Sequence, residues 1–168
     1  MILDTIFLHC GDIDREVIEN FNPEGLINKP DGFWLSQYEE DIGSDWLRYN
    51  YEIINEKYEY GYLIKLKIES KIFIIRSSED YNFLLRNYKL QEKEYFKFLD
   101  FDLDYNYFLD YNKISMEYDG IYNLIINLSI LINGRRVNVF NGWDIVSLVL
   151  FNHNCYNIIK RINLKRFY

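Results

Sequence analysis

The β-forming apolar residues of this 168-residue chain come in short runs, each stopped by turn-forming residues, and several are separated by stretches with helical spacing. Ile2 to Leu8 reads as a first strand ending at Cys10-Gly11-Asp12, and Phe33-Trp34-Leu35-Ser36 as a second after the turn residues Pro30-Asp31-Gly32. Tyr60 to Ile68 and Lys71 to Ile75 are strand candidates joined through Glu69-Ser70, with no Gly or Asn-Gly signal at the join. Asn112 to Tyr118, Ile145 to Phe151 and an edge strand in the tail from Tyr156 to Tyr168 complete the set. Such grouping predicts an α+β fold with a mixed or antiparallel sheet and peripheral helices. A doubly wound nucleotide fold loses its main support because no Gly-x-Gly-x-x-Gly or Gly-x-x-x-x-Gly-Lys-Ser/Thr loop is present.

Helices are expected where a polar cap precedes residues three, four or seven apart. Asp14 opens one with Val17, Ile18 and Phe21; Ser44 or Asp45 opens another with Trp46, Tyr49 and Ile53; Ser77-Ser78-Glu79-Asp80 offers a cap for a third with Tyr81, Leu84, Leu85 and Tyr88. Gln91 to Asp110 is aromatic and acidic without a clean period and reads as irregular helix plus loop, and Ile121 to Leu131 fits either strand or helix. Asn133-Gly134 is the strongest hairpin dipeptide.

Hydrophobic residues make up 49% of the chain and aromatic residues 18%, enough for a sizeable core and one domain spanning residues 1–168. Alanine is absent, which we read as coding bias: bulkier residues fill a core repacked around them. The first residues lack the basic start and cleavage site of a signal peptide, and no apolar run is long enough to span a bilayer, so a cytoplasmic location is expected. Two cysteines, Cys10 and Cys155, suit a reducing compartment. A net charge of -7 opposes nonspecific attraction to nucleic acid or an anionic membrane; Lys160-Arg161 and Lys165-Arg166 are a small positive concentration at the end of the chain.

Candidate chemical groups are few. His9, at the end of the first strand, can reach a ribose hydroxyl or act as a base, or it can tie down its turn. Trp34 and Ser36 share one face of an extended segment and can wall a pocket for a heteroaromatic ring and its ribose, or Trp34 can be core. If Glu117-Tyr118-Asp119 is extended, its two carboxylates face one cleft, where they can stabilise a cationic sugar or activate a nucleophile; solvated acids are the plainer alternative. Neighbouring carboxylates this near in sequence suit a glycosidase pair poorly. His9, Cys10, His153 and Cys155 have the wrong spacing for a compact zinc site, so no metal is expected.

Together, His9-Cys10-Gly11, Lys29-Pro30-Asp31-Gly32-Phe33-Trp34-Leu35-Ser36 and Glu117-Tyr118-Asp119-Gly120 resemble the ordered core elements of small ADP-ribosyltransferase-like proteins. The Lys29–Ser36 segment is also similar to a Lys-Pro-x-Gly-x-Trp-x-Ser segment in uncharacterised phage and large-virus proteins, with Gly142-Trp143-Asp144 and Ser147 as later counterparts. The resemblance implies a split sheet with NAD in its cleft. His9 would contact a ribose, Ser36 would contact the nicotinamide-side ribose or orient the acid, Trp34 or a nearby tyrosine would help enclose the base, and Glu117 or Asp119 would be the catalytic acid as the nicotinamide–ribose bond breaks. ADP-ribose would pass to a protein or nucleic-acid acceptor. The alternative is a noncatalytic viral or phage protein that keeps the fold and binds a host macromolecule through an aromatic surface, with Tyr95 to Tyr111 as candidate.

Overall fold

The computed structural model describes residues 2–13, 30, 32–49, 57–90, 108–132, 135–140, 143 and 145–167. The helix expected from Asp14 and most of the irregular stretch from Gln91 lie outside them, as does Ile53.

The chain opens with a 3-10 turn, Ile2–Asp4, so the first strand, β1, begins later than expected, at Ile6–Cys10. Next come β2 (Phe33–Glu39), β3 (Gly43–Ser44), α1 (Asp45–Tyr49), β4 (Tyr60–Leu66), β5 (Ile72–Ile75) and α2 (Ser78–Tyr88). After them stand α3 (Tyr111–Glu117), β6 (Gly120–Asn123), β7 (Ser129–Ile132), β8 (Arg135–Asn138), β9 (Ser147–Leu150) and β10 (Tyr156–Asn163). Ser77 caps α2 as expected, its side chain accepting from the Asp80 amide. The flanks of Asn133-Gly134 do pair, Ile132 opposite Arg135, as an antiparallel ribbon of β7 and β8.

The remaining strands form one eight-stranded mixed sheet in the order β10-β4-β1-β2-β9-β6-β5, with β3 on β2; only β5 and β6 run parallel. The described strands thus follow a continuous path rather than two separated halves. β4 and β5, expected to be joined neighbours, sit five places apart. A flat sheet would separate them by about 24 Å, whereas the six steps from Leu66 to Ile72 reach only about 21 Å. The sheet therefore curls. Phe7 on β1 meets Tyr122 on β6 edge-on at 5.4 Å, and Phe33 on β2 stacks on Tyr156 of β10 at 5.1 Å, each pair joining strands three places apart. The concave face is filled by Phe7, Phe33, Leu35, Ile64, Leu148 and their neighbours.

Two clusters cover the convex face. Under α2 and α3 lie Tyr81, Leu84, Ile114, Ile121, Val149 and Trp143; under α1 and the C-terminal turn lie Leu8, Cys10, Leu47, Ile162 and Leu164.

One element contradicts the sequence reading. Asn112 to Tyr118, expected as a strand, is helix α3, with the Asp110 side chain accepting from the Lys113 amide at 3.0 Å as its cap. Met116 is 82% exposed while Tyr111 and Ile114, three apart, are buried, which is the spacing of a helix face. Phe108, Leu109 and Tyr111 are buried too, so the described end of the expected aromatic surface is core.

Candidate functional site

His9 ends the β1–β2 pairing. The backbone ladder runs through Phe7↔Gln37 and Leu8↔Ser36 and then lapses, while β1 continues on β4 to Cys10↔Gly61. There the imidazole takes over: Nδ1 lies 3.0 Å from the Trp34 carbonyl and Nε2 3.4 Å from that of Asp12. A neutral ring has one N–H, and the shorter contact assigns it to Nδ1. The ring lies against Phe33 at 4.3 Å, and burial pushes its pKa below the ordinary 6.5, against the opposing effect of the two carbonyls. Next in the chain, Gly11 has φ of +107°, a conformation that glycine tolerates and other residues rarely adopt.

Trp34 and Ser36 share a face, as expected from alternation, but it is the convex one. Trp34 meets Trp143 edge-on at 4.6 Å in the cluster beneath α2 and α3. Ser36 is fully buried, and its Oγ has no hydrogen-bond partner among the described residues. His9 lies in register with Leu35, on the concave side, so His9 and Ser36 leave the sheet on opposite faces.

Neither acid stands in an extended segment facing a shared cleft. Glu117 ends α3 and accepts the hydroxyl hydrogen of buried Tyr88 at 2.7 Å. Asp119 is a clamp in the α3–β6 link. Its Oδ2 accepts from the Lys71 amide at 2.8 Å and its Oδ1 from Asn152 Nδ2 at 2.6 Å. Its own amide donates to the Lys71 carbonyl at 2.8 Å, and its carbonyl accepts from the Phe151 amide at 2.7 Å. One residue thus ties the start of β5 and the end of β9 to the start of β6. Gly120 follows because a Cβ there would sit 2.4 Å from the Val149 carbonyl oxygen.

A polar row missed by the sequence reading crosses the convex face between the two clusters. Asn123 on β6 is opposite Ser147 on β9, and one further step of the β2–β9 register sets Ser36 beside Ser147. All three are buried. Ser147 Oγ accepts from Trp46 Nε1 at 3.2 Å and donates to the Ile145 carbonyl at 3.0 Å. Asn123 Oδ1 accepts from the Ile125 amide at 3.1 Å, but Nδ2, like Ser36 Oγ, has no partner. Periodicity alone could not reveal this row, because it is assembled from three strands whose pairing is set by the tertiary structure.

Of the residues expected to bind NAD, His9 thus leaves one face of the sheet and Trp34 and Ser36 the other, while the two candidate acids stand at the end of α3 and in the α3–β6 link. An open groove of about 590 Å³ lies elsewhere, bordered by Leu3, Lys65, Lys67, Ile68, Glu69 and Asn157 among others. Both cysteines are buried, and burial raises each thiol to a pKa of about 12, so neither is an activated nucleophile. Among the described residues no helix is long and apolar enough to cross a membrane. No family model, curated protein or solved structure matches the chain.

Proposed function

We propose that this chain works by binding a protein partner and not by turning over NAD. The observation that carries this reading is the use already made of the candidate acids: both oxygens of Asp119 hold strand ends together, and Glu117 secures Tyr88. A carboxylate committed to two structural donors is poorly placed to meet charge that develops only in a transition state. The separation of His9 from Ser36 by the sheet supports the same reading, since a dinucleotide would need both from one side. Resemblance to phage and large-virus proteins makes a host protein the partner class to test.

The experiment is a nicotinamide-release assay at millimolar NAD, run beside a thermal melt, because a ligand that binds the folded state raises its melting temperature. The expected result is no release and no shift. Release that disappears in Glu117→Gln or Asp119→Asn, with the fold intact, would restore the ADP-ribosyltransferase reading and remove this one. Partner capture is expected to survive His9→Ala and Glu117→Gln.

A further inference from the structure

The protein-binding reading leaves open which surface does the binding, and β10 offers a specific answer. Among the described residues it is the last strand of the sheet on its side, paired only with β4, and Asn157 to Arg161 are all exposed. The bonds from the Lys67 amide to the Cys155 carbonyl and from the Leu164 amide to the Glu59 carbonyl bracket the ladder. Counting by two from each, across the bulge between Ile158 and Lys160, directs the backbone N–H and C=O of Ile158 and Arg161 away from β4. Ile158 and Ile159, 42% and 51% exposed, present apolar side chains beside these free backbone groups.

Charge distinguishes this edge from the rest of the molecule. The chain carries a net charge of -7, yet β10 carries Lys160 and Arg161 in succession, leaving on opposite faces of the sheet, and the neighbouring β4 carries Lys65 opposite Asn157. None of these three forms an ion pair among the described residues. Arg161 is held over the Tyr60 ring at 3.8 Å, which orders its guanidinium without neutralising it. The groove bordered by Lys65 and Asn157 begins at the same edge.

From this combination we infer that β10 takes up an extended, acidic peptide segment of a partner protein as an added strand. Main-chain bonds to Ile158 and Arg161 would give the affinity, the isoleucines an apolar footing, and the unpaired cations the selectivity for carboxylates. A second copy of β10 is disfavoured because it would bring like charges together. Single-stranded nucleic acid is disfavoured by the net negative field.

The inference rests on the protein-binding reading, and the test separates the two. Fluorescein-labelled peptides of alternating Glu-Val and alternating Lys-Val, together with oligothymidylate, are titrated into the full chain, and amide hydrogen exchange is followed in parallel. Glu-Val is expected to bind at least about tenfold more tightly than Lys-Val and to protect the Ile158 and Arg161 amides. Lys160→Glu with Arg161→Glu should cost about tenfold or more, through the salt-sensitive charge attraction. Ile158→Pro, tolerated at an edge, should abolish binding with every charge intact, and melts of the free variants confirm that they fold. No protection at those amides, equal binding of oligothymidylate, or protection that appears only with self-association would each overturn the edge assignment. NAD turnover would overturn the reading beneath it by a separate measurement.

Discussion

The same three strands, β2, β9 and β6, present two adjacent rows with opposite chemistry. On the concave face Leu35, Leu148 and Tyr122 stand side by side within one apolar cluster, and the Tyr122 hydroxyl escapes to donate to Gln37 Oε1 at 3.2 Å. One residue along, on the convex face, Ser36, Ser147 and Asn123 are equally buried but lie at the seam between two clusters, with two polar atoms unsatisfied. The concave row is closed by the sheet's own curl. The convex row depends on helices and turns that cover it from two sides and leave a polar strip where they meet.

The largest effect should come from the concave side. Phe7→Ala empties a site with no exposed area and removes the ring contact with Tyr122, so chemical denaturation should show a loss of about 3–5 kcal/mol. A loss under about 1 kcal/mol would mean that the curl is not sustained by its filling. Asp119 anchors the strand ends that both rows share. Replacing it by Ala leaves the Lys71 amide and Asn152 without their acceptor, and about 1–3 kcal/mol should be lost, with faster exchange at Lys71.

Ser36→Ala tests the seam itself, and the expected sign is reversed. Removing a buried hydroxyl that has no partner should leave stability unchanged or raise it by up to about 1 kcal/mol, read from the denaturation midpoint. A clear loss would show that the hydroxyl is satisfied in solution.

His9 gives the smallest and most conditional effect. Since its folded pKa lies below 6.5, the unfolded chain binds the proton first as pH falls. Its contribution is thus full above 6.5, declines below that value, and levels off beneath the folded pKa. His9→Gln should flatten this part of the profile, measured as the difference in melting temperature from wild type at about pH 7.5 and about pH 5.

Much of the framework was readable because it is local. Turn residues bounded β2, β9 was recognisable as a central strand and β10 as an edge, and Ser77 announced α2. Helix α3 was misread as a strand; the Asp110 cap before Tyr111 and Ile114 was the available signal. Candidate roles proved harder. His9, Glu117 and Asp119 are the residue types chemistry requires, but the same hydrogen-bonding capacity serves equally to close a ladder, secure a tyrosine or clamp strand ends.

Sequence by itself determined the elements, their α+β character and the overall negative charge, because turn propensity, periodicity and composition act over a few residues or over the whole chain. Tertiary structure alone decided the order of strands, the curl that brings Phe33 onto Tyr156, the polar seam, and the pairing of β10 with β4 that sets Lys65 opposite Asn157 near the edge. Those features depend on which distant backbones pair and in what register, and a shift of one residue would send every side chain of a strand to the other face.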